Sequence, residues 1–326
     1  MRWRLDAGTT ETLLRTAVAA PSVHNTQPWR FHIHDGVIDV RTDPARRLRV
    51  VDRDHRAMLL SVGAAVFNLR LAMALDGWLP VLRPFPADGL TVARIEPGRP
   101  GAPGPGLRAL GTALFRRHTN RGPYARAVVP ARVIDELRAA AAAEGAELTV
   151  LDRVRREALL TLTAAADAVQ RRDPAYRREL AAWTAGGAGR RDGIPAELAG
   201  PRDVHGWLPA RDFGLLSADP GRPAAVFEPH PQLVVLSSRA DGRTARVRAG
   251  QAMQRVLLSA TVRGVAAQPM TQALEIPRMR RAIADPADPW APQMILRIGY
   301  GMPAPASPRR DWSEVVAVAG APTTAV

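Results

Sequence analysis

Two short segments hold the side chains best suited to binding a ligand. Ala20-Pro21-Ser22-Val23-His24-Asn25-Thr26-Gln27-Pro28-Trp29 packs small and hydrogen-bonding residues between two prolines. Such a stretch either turns backbone amides and short side chains toward a flat polar ligand, or forms a rigid turn in which Asn25 and Gln27 satisfy local backbone. Arg116-Arg117-His118-Thr119-Asn120-Arg121 offers guanidinium forks beside hydroxyl and amide donors. That is the set a phosphate monoester requires, and also the set a solvated basic face displays. His32 and His34 could share one side of a strand as metal ligands, but no third ligand accompanies them and no metal is expected.

The remaining chemistry is narrowed by absences. With no cysteine, disulfides, thiolate metal sites and thiol nucleophiles are excluded. The chain also contains no lysine, which excludes a Schiff-base enzyme and the P-loop lysine. No Gly-x-Ser-x-Gly elbow occurs, and Gly186-Gly187-Ala188-Gly189 lacks the flanking strand and helix of a dinucleotide fingerprint, so it reads as loop. All 45 basic residues are arginines spread from end to end, so the net charge of +14 reads as compositional bias and no specific nucleic-acid partner is expected. The N-terminus has no signal-like apolar run, and the most apolar stretch, 57–75, is interrupted by Ser61, Asn68 and Arg70. The expected location is the cytoplasm, with no membrane partner.

The elements that must position these segments follow from periodicity. Leu13, Leu14, Ala17 and Val18 share one face of a helix over 10–20. Trp29, Phe31 and Ile33 alternate toward an Asp35-Gly36 turn, and Ile38 and Val40 continue the strand pair. The stretch 57–76 is apolar nearly all round, with Gly77 placed to end it, which predicts a helix buried in the middle of the molecule. Short strands are expected at 81–83 and 91–95, and the Pro/Gly run 97–106 has linker composition. Beyond it come helices over 130–143, 154–170, 174–184 and 245–263, strands at 148–151, 233–237 and 294–298, and an irregular region of about 186–223. The fold class is α+β.

Laying Gly63 on Gly250 brings Ala65 onto Ala252, Leu71 onto Leu258 and Gly77 onto Gly264 in one unbroken register. Each of these helices follows a strand and precedes a Pro-containing loop, so the chain reads as two copies of one unit: a first half, 1–106, and a second, 107–326, carrying the insertion at about 186–223.

The Ala20 to Trp29 segment, Arg116 to Arg121, Arg248-Ala-Gly-Gln-Ala-Met-Gln-Arg255 and Pro292-Gln-Met-Ile-Leu-Arg-Ile-Gly-Tyr-Gly301 together resemble the nitroreductase-like flavoproteins, and within them the Acg-type FMN-binding proteins. The resemblance spans almost the whole chain. It implies a nitroreductase-like fold with a mixed or antiparallel sheet flanked by helices in each half, the halves being an intertwined homodimer fused into one pseudo-dimer. It also implies FMN as cofactor, NAD(P)H and a small electron-poor acceptor as partners, and a monomer. Carried over, Arg116, Arg117 and His118 form the phosphate site, completed by Arg309 or Arg310. Pro21, Ser22, Val23 and Asn25 lie against the isoalloxazine, and Gln268-Pro269-Met270-Thr271 presents backbone to flavin N5. Met1-Arg2-Trp3-Arg4 matches the arginine pair only loosely, which implies one flavin per chain, and the insertion is implied as a lid. No catalytic side chain is nominated. A flavin-sequestering protein with little turnover is the alternative.

Overall fold

A computed structural model describes residues 3, 5–87, 89, 91–184, 189–213, 222–284 and 289–318. The chain opens with α1 (Ala7–Val18), N-capped by the Asp6 carboxylate, which accepts from the Thr9 amide at 2.8 Å. Then come β1 (Trp29–His34), β2 (Val37–Thr42), α2 (Arg56–Leu75), β3 (Val81–Pro84) and β4 (Thr91–Glu96). Next are α3 (Pro105–Ala113), α4 (Ala131–Ala142), β5 (Glu147–Val150), α5 (Arg153–Arg172), α6 (Pro174–Thr184) and the short pair β6 (Arg202–Asp203) and β7 (Ala224–Ala225). The chain continues through β8 (Gln232–Ser238), α7 (Arg243–Val262), β9 (Ala266–Pro269), α8 (Gln272–Glu275), α9 (Pro277–Ile283), β10 (Ala291–Gly299) and β11 (Val316–Val318).

Two sheets flank a central helix pair. The first has the order β11-β1-β2-β4-β3 and the second β5-β8-β10-β9. Every pairing in them is antiparallel except that of β11, which runs parallel to β1 with Phe31 opposite Val316. The C-terminus thus crosses back to complete the sheet of the first half. In β1 the alternation is strict: Trp29 and Phe31 are fully buried, while His32 and His34 take the other face, where His34 Nε2 lies 3.0 Å from Asp39.

The centre is α2 against α7, and the register that superimposes the halves is the register in which they touch. Gly63 faces Gly250: a Cβ on Gly63 would stand 2.2 Å from the Val247 carbonyl, and one on Gly250 would stand 2.1 Å from that of Leu60. Only glycine permits this backbone approach. One turn on, Gln254 Nε2 donates to Asn68 Oδ1 at 2.7 Å, and Arg70 donates to Gln251 at 2.6 Å. Helix α2 has the length and hydropathy of a membrane span, but 89% of that stretch is buried inside the fold, so its uniform apolarity reflects neighbours on all sides. One continuous core runs from Leu13 and Phe31 through α2 and α7 to Leu137, Leu236 and Leu296, so the halves share their interior.

The stretch with linker composition is tied down. Leu79 N donates to Arg99 O at 3.0 Å, Gly101 N to Gly77 O at 2.9 Å, and α3 begins at Pro105, its Leu110 and Leu114 packing on Phe67, Leu71 and Leu258. The glycines at 186–188 lie outside the described residues, as does the part of the insertion at 214–221.

Candidate functional site

The segment after α1 is strained and held. His24, Asn25 and Gln27 adopt φ of 46°, 54° and 51°, a left-handed backbone that costs a non-glycine residue about 1 kcal/mol or more. Side chains fix it from both ends: Ser61 Oγ on α2 accepts the Val23 amide at 3.0 Å and Ser22 Oγ accepts that of Gln27 at 2.9 Å. Pro21 is half-buried beside them. Neither Asn25 nor Gln27 merely satisfies its own turn. Asn25 Nδ2 donates to the carbonyls of Gly193 and Pro308 at 2.9 and 3.0 Å, and its Oδ1 accepts from Arg309 at 2.9 Å. Gln27 donates to Arg191 O at 2.8 Å and accepts the Arg310 amide at 2.9 Å. The segment is therefore where the first half, the insertion and the C-terminal chain meet.

Arg117 stands in the turn after α3, 5% exposed, and its Nε is shut off from solvent without a partner. Burial and then the neighbouring Arg309 push its guanidinium down to about 9. Arg309 is itself lowered to about 10 by burial, and its Nε is also buried without a partner. His118 is held below its ordinary value by burial, then by Arg117 and Arg309. Among the described residues neither Arg117 nor Arg309 has a carboxylate in ion-pair range, whereas buried Arg211, Arg297 and Arg310 each have one. Two neighbouring guanidiniums, each lowered by burial and Arg117 further by Arg309, carry charge that no described carboxylate offsets.

The other two arginines named from the sequence are placed differently. Arg116 is exposed, with Nη2 3.3 Å from the Thr261 carbonyl at the end of α7. Arg310 lies among carboxylates, Nε 3.5 Å from Glu314 and Nη1 3.9 Å from Asp43. Of the alternatives at the C-terminus, Arg309 is the one that joins Arg117.

Gln268 and Pro269 end β9, and Met270 and Thr271 follow it. Gln268 is buried, its Oε1 accepting from Arg297 at 2.7 Å; the Met270 side chain sits in an apolar cluster with Leu159 and Phe227, and its amide donates to Ile295 O at 2.9 Å. Pro269 and Thr271 are half-buried, and Thr271 Oγ1 accepts from Arg211 at 3.2 Å.

Several structuring residues carried no signal in the sequence. Arg297 is fully buried on β10, clamped by Glu228 at 2.6 Å and lying 3.7 Å over the Tyr124 ring. Through the Gly122 carbonyl at 3.0 Å it fixes the chain just beyond the arginine turn, while the Asn120 amide docks on Ala267 O at 3.1 Å. Arg211, from the insertion, pairs with buried Glu275 at 2.6 Å and donates to the Tyr176 hydroxyl. Next to it, His24 is buried with neither ring nitrogen bonded, its ring perpendicular to Phe213 with centroids 5.6 Å apart, and burial pushes it down to about 3 with help from Arg211. The described part of the insertion lies over this junction: Gly193 N donates to Asn25 O at 3.2 Å and Arg46 grips Asp192 at 2.6 Å.

The fold is that of a two-half α+β protein in which Arg117 and Arg309 stand together and Arg309 reaches Asn25 of the first half. No protein-family model matches the chain. Two Mycobacterium tuberculosis proteins carried under the provisional name NAD(P)H nitroreductase do: Rv3131, 36% identical with 95% of this chain and 92% of that protein covered, and acg, 30% identical with 94% of each covered. The chain belongs to this NAD(P)H nitroreductase family. Among solved structures, the FMN-dependent nitroreductase NfnB from Mycobacterium smegmatis in complex with NADPH is 16% identical over 64% of this chain and 96% of that one, with a TM-score of 0.40. A Desulfitobacterium hafniense nitroreductase with bound FMN is 12% identical over the same shares, with a TM-score of 0.41. Both are too distant to assign any residue here.

Proposed function

We propose that this chain binds one FMN between its halves and uses it to pass hydride from NAD(P)H to a small electron-poor acceptor of the nitroaromatic or quinone type. The observation that carries the reading is the pair Arg117 and Arg309, buried together without a carboxylate. A phosphate monoester dianion between them would convert mutual repulsion into two charge-assisted contacts. His118, kept neutral by those cations, can add a donor without adding charge.

Bound FMN would supply the two-electron chemistry, which no side chain here can perform. The protein's part is placement and electrostatics. The braced turn from Pro21 to Asn25 offers a fixed wall for the ring. In the loop after β9, Pro269 has no N–H and the Met270 N–H is spent on Ile295, so Thr271 is left to offer its amide toward N5. Largely buried Arg121, pushed down to about 10 by burial, has no carboxylate in ion-pair range among the described residues and could offset negative charge on a reduced ring. The grip of the insertion on Asn25, Gln27 and Arg46 favours a second reading, in which the flavin is held and turned over little.

The test is the visible spectrum of the purified protein before and after anaerobic NADPH or NADH. Bleaching, followed by recovery of colour on adding menadione, supports the oxidoreductase. Persistent yellow supports sequestration, and a colourless protein that takes up no added FMN overturns both.

A further inference from the structure

A cavity of about 630 Å³ opens at the N-terminal end of α2, and none of the residues assigned above to the flavin or its phosphate lines it. Its volume lies within the range of small-molecule sites. Much of the wall is apolar, with Val51, Val169, Leu274 and Ile276 contributing. Five carboxylates also line it, and each is already committed. Asp52 caps α2 through the Ala57 and Met58 amides at 2.8 and 2.7 Å, and Asp173 accepts from the Ala175 amide at 2.8 Å. Asp54 holds Arg246 at 3.0 Å, Asp241 holds Arg280 at 2.6 Å, and Glu275 holds Arg211 at 2.6 Å.

Arg56 is the exception. It lines the cavity from the first residue of a 20-residue helix, is 3% exposed, and has no ion pair among the described residues. Of the five donors a guanidinium carries, it commits Nη1 alone, to the Gln293 carbonyl. Burial and then Arg280 push its guanidinium down to about 10, outweighing Asp52, Glu275 and Asp54, which act in the other direction. A buried cation on a cavity with one apolar wall, at the positive end of a long helix, is a seat for an anionic group on an apolar body.

We infer that this cavity binds a small organic acid, its carboxylate on the Arg56 guanidinium and its apolar body along the Val51, Val169 and Leu274 wall. The seat is separate from the phosphate seat of Arg117 and Arg309, so a protein without a chromophore leaves the inference standing.

Calorimetric titration of the full chain as purified, with decanoate and the uncharged decanol as probes, tests it. Decanoate is expected to bind one per chain, at least tenfold tighter than decanol. Arg56→Gln should bring decanoate down to the level of decanol, and Ala291→Trp, which fills the cavity from its rim, should abolish both. No decanoate binding, decanol binding equally well, or a folded Arg56→Gln protein that binds decanoate undiminished would each overturn the inference. Should Arg56→Gln fail to fold, Ala291→Trp decides alone: unchanged decanoate affinity there overturns it.

Discussion

Replacing Arg117 by methionine should move two quantities in opposite directions. A guanidinium held at about 9 and still charged at neutral pH carries a folded-state penalty. At about 1.4 kcal/mol per tenfold in proton affinity, that penalty is on the order of a few kcal/mol. The sign is that of a base whose pKa falls on folding: the cost is fully present at pH 7 and fades only as pH rises from the folded value toward the unfolded one. A methionine of similar reach removes the cost and relieves Arg309, so the flavin-free variant should melt higher than flavin-free wild type, by about 2 °C for each kcal/mol recovered. FMN binding should suffer. Charge-assisted hydrogen bonds contribute about 1.5 to 3 kcal/mol each, so losing one or two costs roughly 10- to 10,000-fold in Kd. Riboflavin, which lacks the phosphate, supplies the control: its affinity should be unchanged within about threefold. Flavin fluorescence titrations of wild type and Arg117→Met with both ligands decide the matter. Equal weakening of FMN and riboflavin, or unchanged FMN affinity, would refute the phosphate seat.

Other expectations follow from the same geometry. Arg116→Gln should leave FMN affinity and stability within about 0.5 kcal/mol of wild type, because that side chain is exposed; a tenfold weaker FMN titration would contradict this. Gly63→Ala should cost about 3 kcal/mol or more in urea denaturation, since its Cβ would lie 2.2 Å from a backbone oxygen that cannot give way; a loss below 1 kcal/mol would mean the central helices separate easily. His24, neutral and pushed down to about 3, must be protonated in acid. Stability should then fall by up to about 1.4 kcal/mol per pH unit below pH 6.5, toward 3. His24→Asn, which tolerates the left-handed backbone, should flatten that slope; parallel pH profiles for the two proteins would show that another group titrates. Asp192→Ala should release the insertion from Arg46 and raise both turnover of bulky acceptors and iodide quenching of the flavin. If neither rises, the insertion does not gate the site.

The central architecture was legible because it is written in side-chain size. Helix α2 had to be buried because it is apolar all round, and the Gly63 and Gly250 register pointed to duplication before any contact was known. What the sequence concealed is held by tertiary contacts. Helix α3 contains Gly106 and Gly111 and begins at a proline, a poor helix by propensity that exists because Leu110 and Leu114 find the flanks of α2 and α7. Strand β11 is three residues long and is defined only by its partner. The site was partly legible for a related reason. Strain at His24, Asn25 and Gln27 lies in residue types that tolerate left-handed backbone, and an arginine pair marks a turn. In a chain whose cations are all arginine, however, spacing cannot separate Arg117, which has no carboxylate among the described residues, from Arg297, which has Glu228, or from Arg116, which faces water. Burial makes that distinction, and burial depends on the whole fold.

The duplication also bears on how many flavins a chain can hold. A two-fold relation between α2 and α7 places a counterpart of every feature on the opposite side, and the counterpart of the arginine turn that precedes α4 is the chain that precedes α1. There Trp3 stands ahead of Leu5 and the Asp6 cap, its indole Nε1 donating to Gly36 O at 2.9 Å and its ring set edge-on to Trp78 with centroids 5.5 Å apart. Arg2 and Arg4 lie outside the described residues. Two packed indoles offer a dianion neither charge nor a fork of donors, whereas Arg117 and Arg309 offer both. Among the described residues the core is two-fold where α2 meets α7, and the Arg117 and Arg309 pair has no counterpart beside Trp3. Flavin released by acid from fully loaded protein should therefore amount to one per chain, and Arg117→Met should lower the whole of it. A value of two, or a variant that keeps half, would place a second phosphate seat beside the tryptophans.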